Sequence, residues 1–376
     1  MRYFMKDYNI WDNKLAKQDL EAFTSSEEAK LWLKIHSIAK RDVMNGFLKK
    51  YNISLSSKKI EDMARELYAK VKDTDIDLWN NKLDSYFYEE NKKQFDELNV
   101  DQLEQDLCLI QHFKWGGDQN NSLDKYFVSH YIKSIRSYQT LKDKLAAEAL
   151  PIVENYVLAS WYNHWTSIII EHFFKQHKKV LPTIGQVKSI DFIIDGIPFD
   201  LKVTYLPSGK WYQKDLEKYL TSQGLPKTEL ASLKKFAKLA KIKYSAQSAN
   251  DQHFQILKLL ENNDKVLYKQ AKEELEKIRD ATIEYATSNR KDLAIKLYEN
   301  QGDPRFGSEN RIYLILIDRN DIGNSWEMKR DFKRLKTEIN KYLDEFDAKN
   351  LNKMKLKFNY GGRQYSTHAD VIFVIK

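Results

Sequence analysis

Asp191, Asp200 and Lys202 are residues whose types and spacing could do chemistry together. They lie in VKSIDFIIDGIPFDLKVT, Val187–Thr204, where two short runs of alternating apolar residues flank Asp195-Gly196. An Asp-Gly pair in that setting is a strong signal for a two-residue hairpin turn. With that turn Ile194 faces Ile197, Phe192 faces Phe199 and Ile190 faces Leu201, all on one apolar side. Side chains alternate along a strand. The other side therefore carries Asp191 across from Asp200 and Ser189 across from Lys202. Opposed Cβ atoms sit about 4.5–5.5 Å apart, and like charges there are destabilising. At an effective dielectric of about 20 the repulsion is roughly 3 kcal/mol. A divalent cation between the oxygens turns that repulsion into binding. With a lysine beside it, the pattern is that of metal-assisted hydrolysis.

These residues need elements that hold them. Pro151 suits the first turn of a helix running to about Lys178. Val153, Val157, Trp161, Trp165, Ile168 and Ile169 would form its wide buried face. Asn163, Ser167 and Glu171 recur every four residues and form one polar stripe. Glu171 stands among Ile168–Ile170 and Phe173-Phe174, an expensive place for an unpaired carboxylate. Either the stripe reaches solvent, or Glu171 joins the hairpin acids as a further catalytic and metal-binding group. Downstream, Arg311–Asp318 and Ala369–Ile375 read as buried strands, and Ser325 to about Phe346 as a helix. In Lys353–Tyr360 Met354, Leu356, Phe358 and Tyr360 alternate with lysines, and Gly361-Gly362 follows as a turn. No GxxxxGK[ST] loop occurs, which excludes a P-loop nucleotide hydrolase. His164, His172 and His177 share a helix at spacings that do not converge on one face.

A chain of 376 residues is long enough for two domains. The first, 1–150, reads as helical throughout, with a capping box at Ser25-Ser26-Glu27-Glu28 and its clearest break at Trp115-Gly116-Gly117. DNA recognition, dimerisation and scaffolding are all open to it, and it has no zinc-finger spacing. The second, 151–376, runs helix, hairpin, helices, strand, helix, strands. That order suits a mixed sheet with a helical insertion at about 205–300. Cys108 is the only cysteine, so no disulfide framework is possible. No apolar run is long enough to span a bilayer and no signal-peptide core is present. The expectation is a soluble cytoplasmic protein with no membrane partner.

The net charge is +8. Tyr205–Tyr244 holds nine lysines against three acids, just after the carboxylate hairpin. A basic segment beside a metal site suits a polyanion, nucleic acid foremost. Within it Thr228–Ile242 reads as an amphipathic helix with Leu230, Leu233, Phe236, Leu239 and Ile242 on its apolar stripe. Lys234, Lys238 and Lys241 line another face, as phosphate contacts or as a solvated surface.

The order helix-Glu, strand-Asp, then Asp-x-Lys on the paired strand resembles the PD-(D/E)xK nuclease superfamily, the fold of many type II restriction endonucleases. The resemblance covers about Pro151–Lys376. Asp191 matches the first acid, Asp200 the second, Lys202 the lysine and Glu171 the helix acid. Ile190 stands where proline commonly precedes the first acid, and the second acid is Asp rather than Glu. The resemblance implies an α/β (α+β) fold: a restriction-endonuclease-like mixed β-sheet core flanked by helices, here preceded by an all-α region. It also implies one or two Mg²⁺ ions on Asp191, Asp200 and Glu171, with Lys202 positioning or deprotonating the attacking water. Double-stranded DNA is the implied substrate, and palindromic recognition would imply a homodimer. A structure-specific or repair nuclease acting on DNA junctions or RNA stays open. So does a non-catalytic nucleic-acid-binding protein.

Overall fold

A computed structural model describes residues 4–16, 23, 26–110, 123–183, 190–300, 309–360 and 362–376. Ser189, the Trp115–Ser122 break and Gly361 lie outside the described residues. The fold is a mixed α/β core on a six-stranded sheet, flanked by helices and preceded by an all-α region.

The N-terminal helices α1 (Phe4–Ala16), α2 (Glu27–Ser37), α3 (Arg41–Lys50), α4 (Ile60–Lys72) and α5 (Ile76–Asp96) share one apolar cluster. Trp32, Phe47, Leu67 and Phe87 are at its centre, with almost no exposed surface. Ser26 caps α2 by accepting from the Ala29 amide at 3.3 Å. Next come α6 (Val100–Cys108), a short helical pair spanning Leu123–Phe127 as α7 and Val128–Ile132, and the long helix α8 (Tyr138–Lys175).

Pro151, expected to open a helix, lies inside α8. The upstream run KLAAEAL is rich in strong helix formers and carries the helix back to a Ser137 N-cap. The carbonyl that proline leaves without a donor belongs to Ala147, which is exposed, so water can satisfy it. For the same reason Val157, expected to be buried, is 54% exposed: this half of α8 extends past the core. Its second half buries Tyr162, Ile169, Ile170, Phe173 and Phe174.

The strands are β1 (Val180–Pro182), β2 (Phe192–Ile194), β3 (Ile197–Tyr205), β4 (Arg311–Ile317), β5 (Lys355–Tyr360) and β6 (Arg363–Ile375), in spatial order β1-β2-β3-β4-β6-β5. The strands β3, β4 and β6 run parallel; β1, β2 and β5 join antiparallel. Helices α9 (Lys210–Ser222), α10 (Glu229–Leu239), α11 (Ala249–Asn263), α12 (Lys265–Ser288) and α13 (Arg290–Glu299) lie between β3 and β4. A 3₁₀ segment, Ile322–Arg330, leads into α14 (Phe332–Glu345).

Strand alternation sorts the sheet into two layers. Phe192, Ile194, Ile197, Phe199, Leu201, Ile312, Leu314 and Leu316 pack with α8 and α14. Tyr313, Ile315, Ile317, Val371, Leu356 and Phe358 pack with the inserted helices. Ile193 and Ile190 belong instead to the N-terminal helical cluster, so that region docks directly on the hairpin. Among the described residues no helix is long and apolar enough to cross a membrane.

Candidate active site

The hairpin turns where its sequence says it must. Asp195 and Gly196 both have positive φ, +46° and +86°, as a two-residue turn matched to strand twist requires. Ile194 pairs with Ile197, Ile193 with Pro198 and Phe192 with Phe199. Regular pairing stops there. The Asp191 amide donates to the Phe199 carbonyl at 2.9 Å, although Phe192 is the residue in register with Phe199. This is a bulge, two residues opposing one. From Asp200 onward β3 pairs with β4 along its other edge. The expected Ile190–Leu201 pair is not formed. Ile190 packs with the N-terminal helices, while Leu201 faces α8 and α14.

Asp191 replaces the lost backbone rung with its side chain. The Leu201 amide donates to Asp191 Oδ2 at 2.7 Å. The carboxyl is pushed up to about 6, first by burial, then by the negative charge of Glu171 and, less strongly, of Asp200. The Leu201 hydrogen bond and the Lys202 charge oppose that shift without cancelling it. Asp191 thus feels the charges of Glu171, Asp200 and Lys202.

Asp200 is buried and held from two sides. Arg311 Nε donates to its Oδ2 at 2.8 Å, and Lys202 Nζ approaches its Oδ1 at 3.3 Å. Arg311 follows from the topology: β3 and β4 pair in parallel with Asp200 beside Arg311. The guanidinium lies over the Tyr298 ring at 5.0 Å and reaches Glu309 at 3.5 Å. Lys202 keeps about two fifths of its side chain exposed. Of the two cations on Asp200, it is the one that can reach a substrate.

Glu171 comes from α8. It pairs with Lys175 at 2.5 Å, one turn on. Lys175 also reaches the Thr183 carbonyl at 3.4 Å, and the Thr183 hydroxyl donates to the Asp191 carbonyl at 2.6 Å. Polar contacts through Lys175 and Thr183 thus link Glu171 to the main chain of Asp191. Further along the same stripe, Asn163 Oδ1 accepts from the buried Lys329 at 2.6 Å. Along the stripe Asn163 is taken up by a buried amine, while Glu171 stays about a third exposed and pairs with Lys175 of its own helix. The nearby histidines make separate contacts. His172 stacks on Phe95 and His177 hydrogen-bonds Asp344 at 3.2 Å.

Asp191 and Asp200 supply hard oxygen donors, the chemistry that Mg²⁺ prefers. One oxygen of each is committed within the protein, Asp191 Oδ2 to Leu201 and Asp200 Oδ2 to Arg311. Asp200 Oδ1 is also met by Lys202 at 3.3 Å, so an ion there would have to displace that amine. Among the described residues no group of three or more His, Cys, Asp or Glu side chains is clustered tightly enough to hold a metal unaided. An ion here would complete its shell with water or phosphate, as Mg²⁺ commonly does.

Lys234 and Lys238 lie exposed on α10; Lys241 is exposed just past its end, at φ +54°. Leu239, expected in the apolar stripe, is 60% exposed, because α10 ends there and Ala237 and Phe236 fill the contact with α11 and α12 instead. Arg311 is a site residue that the hairpin pattern alone does not point to. Its signal was available: it is the one charge in RIYLILI, and a charge in a fully buried strand needs a partner. No family model, curated protein or solved structure matches this chain.

Proposed function

We propose that this protein is a Mg²⁺-dependent endonuclease that hydrolyses DNA phosphodiester bonds, cutting specific double-stranded sites in the manner of a type II restriction enzyme. The observation that carries the reading is the convergence of Asp191, Asp200 and Lys202 at the point where β3 passes from one partner strand to another. The N-terminal helices and the inserted helices flank that point, so a substrate would enter between them.

Bound Mg²⁺ would lower the pKa of a coordinated water and stabilise charge on the scissile phosphate. Asp191 and Asp200 would hold it, with Glu171 assisting. Arg311 would fix the plane of the Asp200 carboxylate through Oδ2, leaving Oδ1 for the ion. Lys202, freed from Oδ1 by the ion, would orient the attacking water and offset the charge that develops at phosphorus. The lysines at 234, 238 and 241 would hold the phosphate backbone.

A second reading draws on one specific observation. Asp200 is already charge-compensated by Arg311 and Lys202, as a structural ion network in a non-catalytic DNA-binding protein would be.

Plasmid incubation with Mg²⁺ or with EDTA separates the two. The reading predicts discrete fragments in Mg²⁺ only. Lys202→Ala, a half-exposed position, should reduce cutting by about 10²–10³-fold with little effect on binding. Smeared products or preference for RNA or junctions would redirect the substrate assignment. No metal-dependent cleavage of any nucleic acid, with binding intact, would leave the structural reading standing.

A further inference from the structure

Strand β3 continues past Lys202 to the lip of a cleft. Lys202 and Thr204 are two residues apart on one strand, on the same face and about 7 Å from each other. Thr204 and Tyr205 open a cleft of about 800 Å³ between the end of β3, the inserted helices and the 3₁₀ segment. That volume lies within the usual range for small-molecule sites. Its lining includes the part-buried rings of Tyr205 and Trp211 and the buried Tyr212 and Trp326, with the side-chain amide of Gln213 among them. Exposed Lys227 is also part of its lining.

Two details set this cleft apart from a packing defect. A Cβ at Gly209 would lie 2.3 Å from Trp211 Nε1, so the indole rests directly against the loop that forms the rim. Gly209 has an ordinary extended conformation, φ −65° and ψ 145°, so close approach and not backbone geometry is what excludes a side chain there. Tyr212 is 2% exposed, and its hydroxyl is buried with no hydrogen-bond partner among the described residues. A buried hydroxyl left unpaired is costly unless something else satisfies it.

We propose that this cleft receives a nucleotide base held outside the stack of the substrate strand, beside the scissile phosphate. The inference rests on the nuclease reading of Asp191, Asp200 and Lys202. Aromatic walls stack on any base face, and enzymes that examine a base draw it from the helix into such a pocket. The Gln213 side-chain nitrogen donates to the Pro207 carbonyl at 2.9 Å, which leaves its oxygen to accept from the base edge, and Lys227 offers a positive charge to a flanking phosphate. Extrusion costs least where the base is mismatched or already unpaired. The cleft therefore gives the enzyme a preference for sites at which one base is weakly held.

Photo-crosslinking tests this directly. DNA carrying a single 5-iodouracil, paired, mismatched or in a single strand, is bound in Ca²⁺ and irradiated, and adducts are mapped by mass spectrometry. Adducts on Tyr205, Trp211 or Trp326, strongest for the mismatched and single-stranded probes, are expected. Trp211→Ala should weaken binding of those probes by about ten- to a hundredfold relative to paired duplex. Gly209→Ala, which displaces the indole while keeping every aromatic ring, should do the same to a lesser degree, with thermal melts verifying that both variants fold. Adducts confined to other residues, or variants that bind mismatched and paired DNA as the wild type does, overturn the proposal. Cleft adducts without any cutting in Mg²⁺ would retain the pocket and refute the nuclease. Cutting without cleft adducts would do the reverse.

Discussion

Asp200 and Arg311 form a buried pair in which each residue needs the other. Removing one partner of such a pair typically costs about 3–5 kcal/mol, because the remaining charge is left in a poor solvent. Arg311→Met should therefore destabilise the protein by that amount in urea denaturation and also impair cutting; an unchanged midpoint would mean the pair is not structural. Asp191 makes a prediction of opposite character. Its folded value of about 6 lies above the ordinary 3.8, so the fold favours the protonated acid. In metal-free protein stability is highest below about pH 4 as far as this group is concerned, and it falls by on the order of 2–3 kcal/mol as pH rises through 6. Asp191→Asn should flatten that part of the stability profile in EDTA. Mg²⁺ should restore stability to the wild type above pH 6, and not to the variant. Lys329 has the reverse slope. Burial alone lowers its amine from 10.5 to about 8. Stability should rise between pH 8 and 10.5, where the unfolded chain still binds a proton and the folded one does not. Lys329→Met should raise the melting temperature at neutral pH, and a fall would show that the bond to Asn163 outweighs desolvation.

At the scale of elements the hairpin is the decisive part. Its turn needs positive φ at both central positions, and Gly196 at +86° is the one that a Cβ strains most. Gly196→Ala should cost about 1–2 kcal/mol. Because a one-residue slip moves every side chain to the other face, the variant should lose activity beyond what its stability loss explains. Intact cutting in a correctly folded Gly196→Ala protein would mean the register does not set the site. The bulge at Asp191 was not legible in advance. Pairing rules extended the hairpin to Ile190 and Leu201, and only the structure shows that regular pairing ends at Phe192 and Phe199. Helix α8 teaches the same lesson. Pro151 is a sound start signal taken alone, and helix-forming sequence on its N-terminal side overrides it.

At the scale of the whole molecule the site lies where three bodies meet: the sheet, the N-terminal helices on the hairpin and the inserted helices on β4. The net charge of +8 and the exposed lysines near α10 belong to this scale too. If Lys234, Lys238 and Lys241 each neutralise one phosphate, replacing all three with alanine should lower the slope of log affinity against log salt by about 2.7. An unchanged slope would assign them to a merely solvated face. The mixed sheet, the helical N-terminal region and the insertion between β3 and β4 were legible from hydrophobic periodicity. Such patterns are local and repeat many times, so single errors at Val157 or Leu239 do not disturb them.

The sequence by itself determined the turn, the alternation and hence that acids and a lysine crowd one hairpin, because those follow from two-residue periodicity and Asp-Gly geometry. Only the tertiary structure decided which oxygens of Asp191 and Asp200 are engaged, that Arg311 holds the second acid, and that β3 leads into an aromatic cleft. The Asp200–Arg311 pair joins residues 111 positions apart, and the Asp191–Leu201 bond needs a bulge that pairing rules do not foresee. No local pattern records which residues will meet.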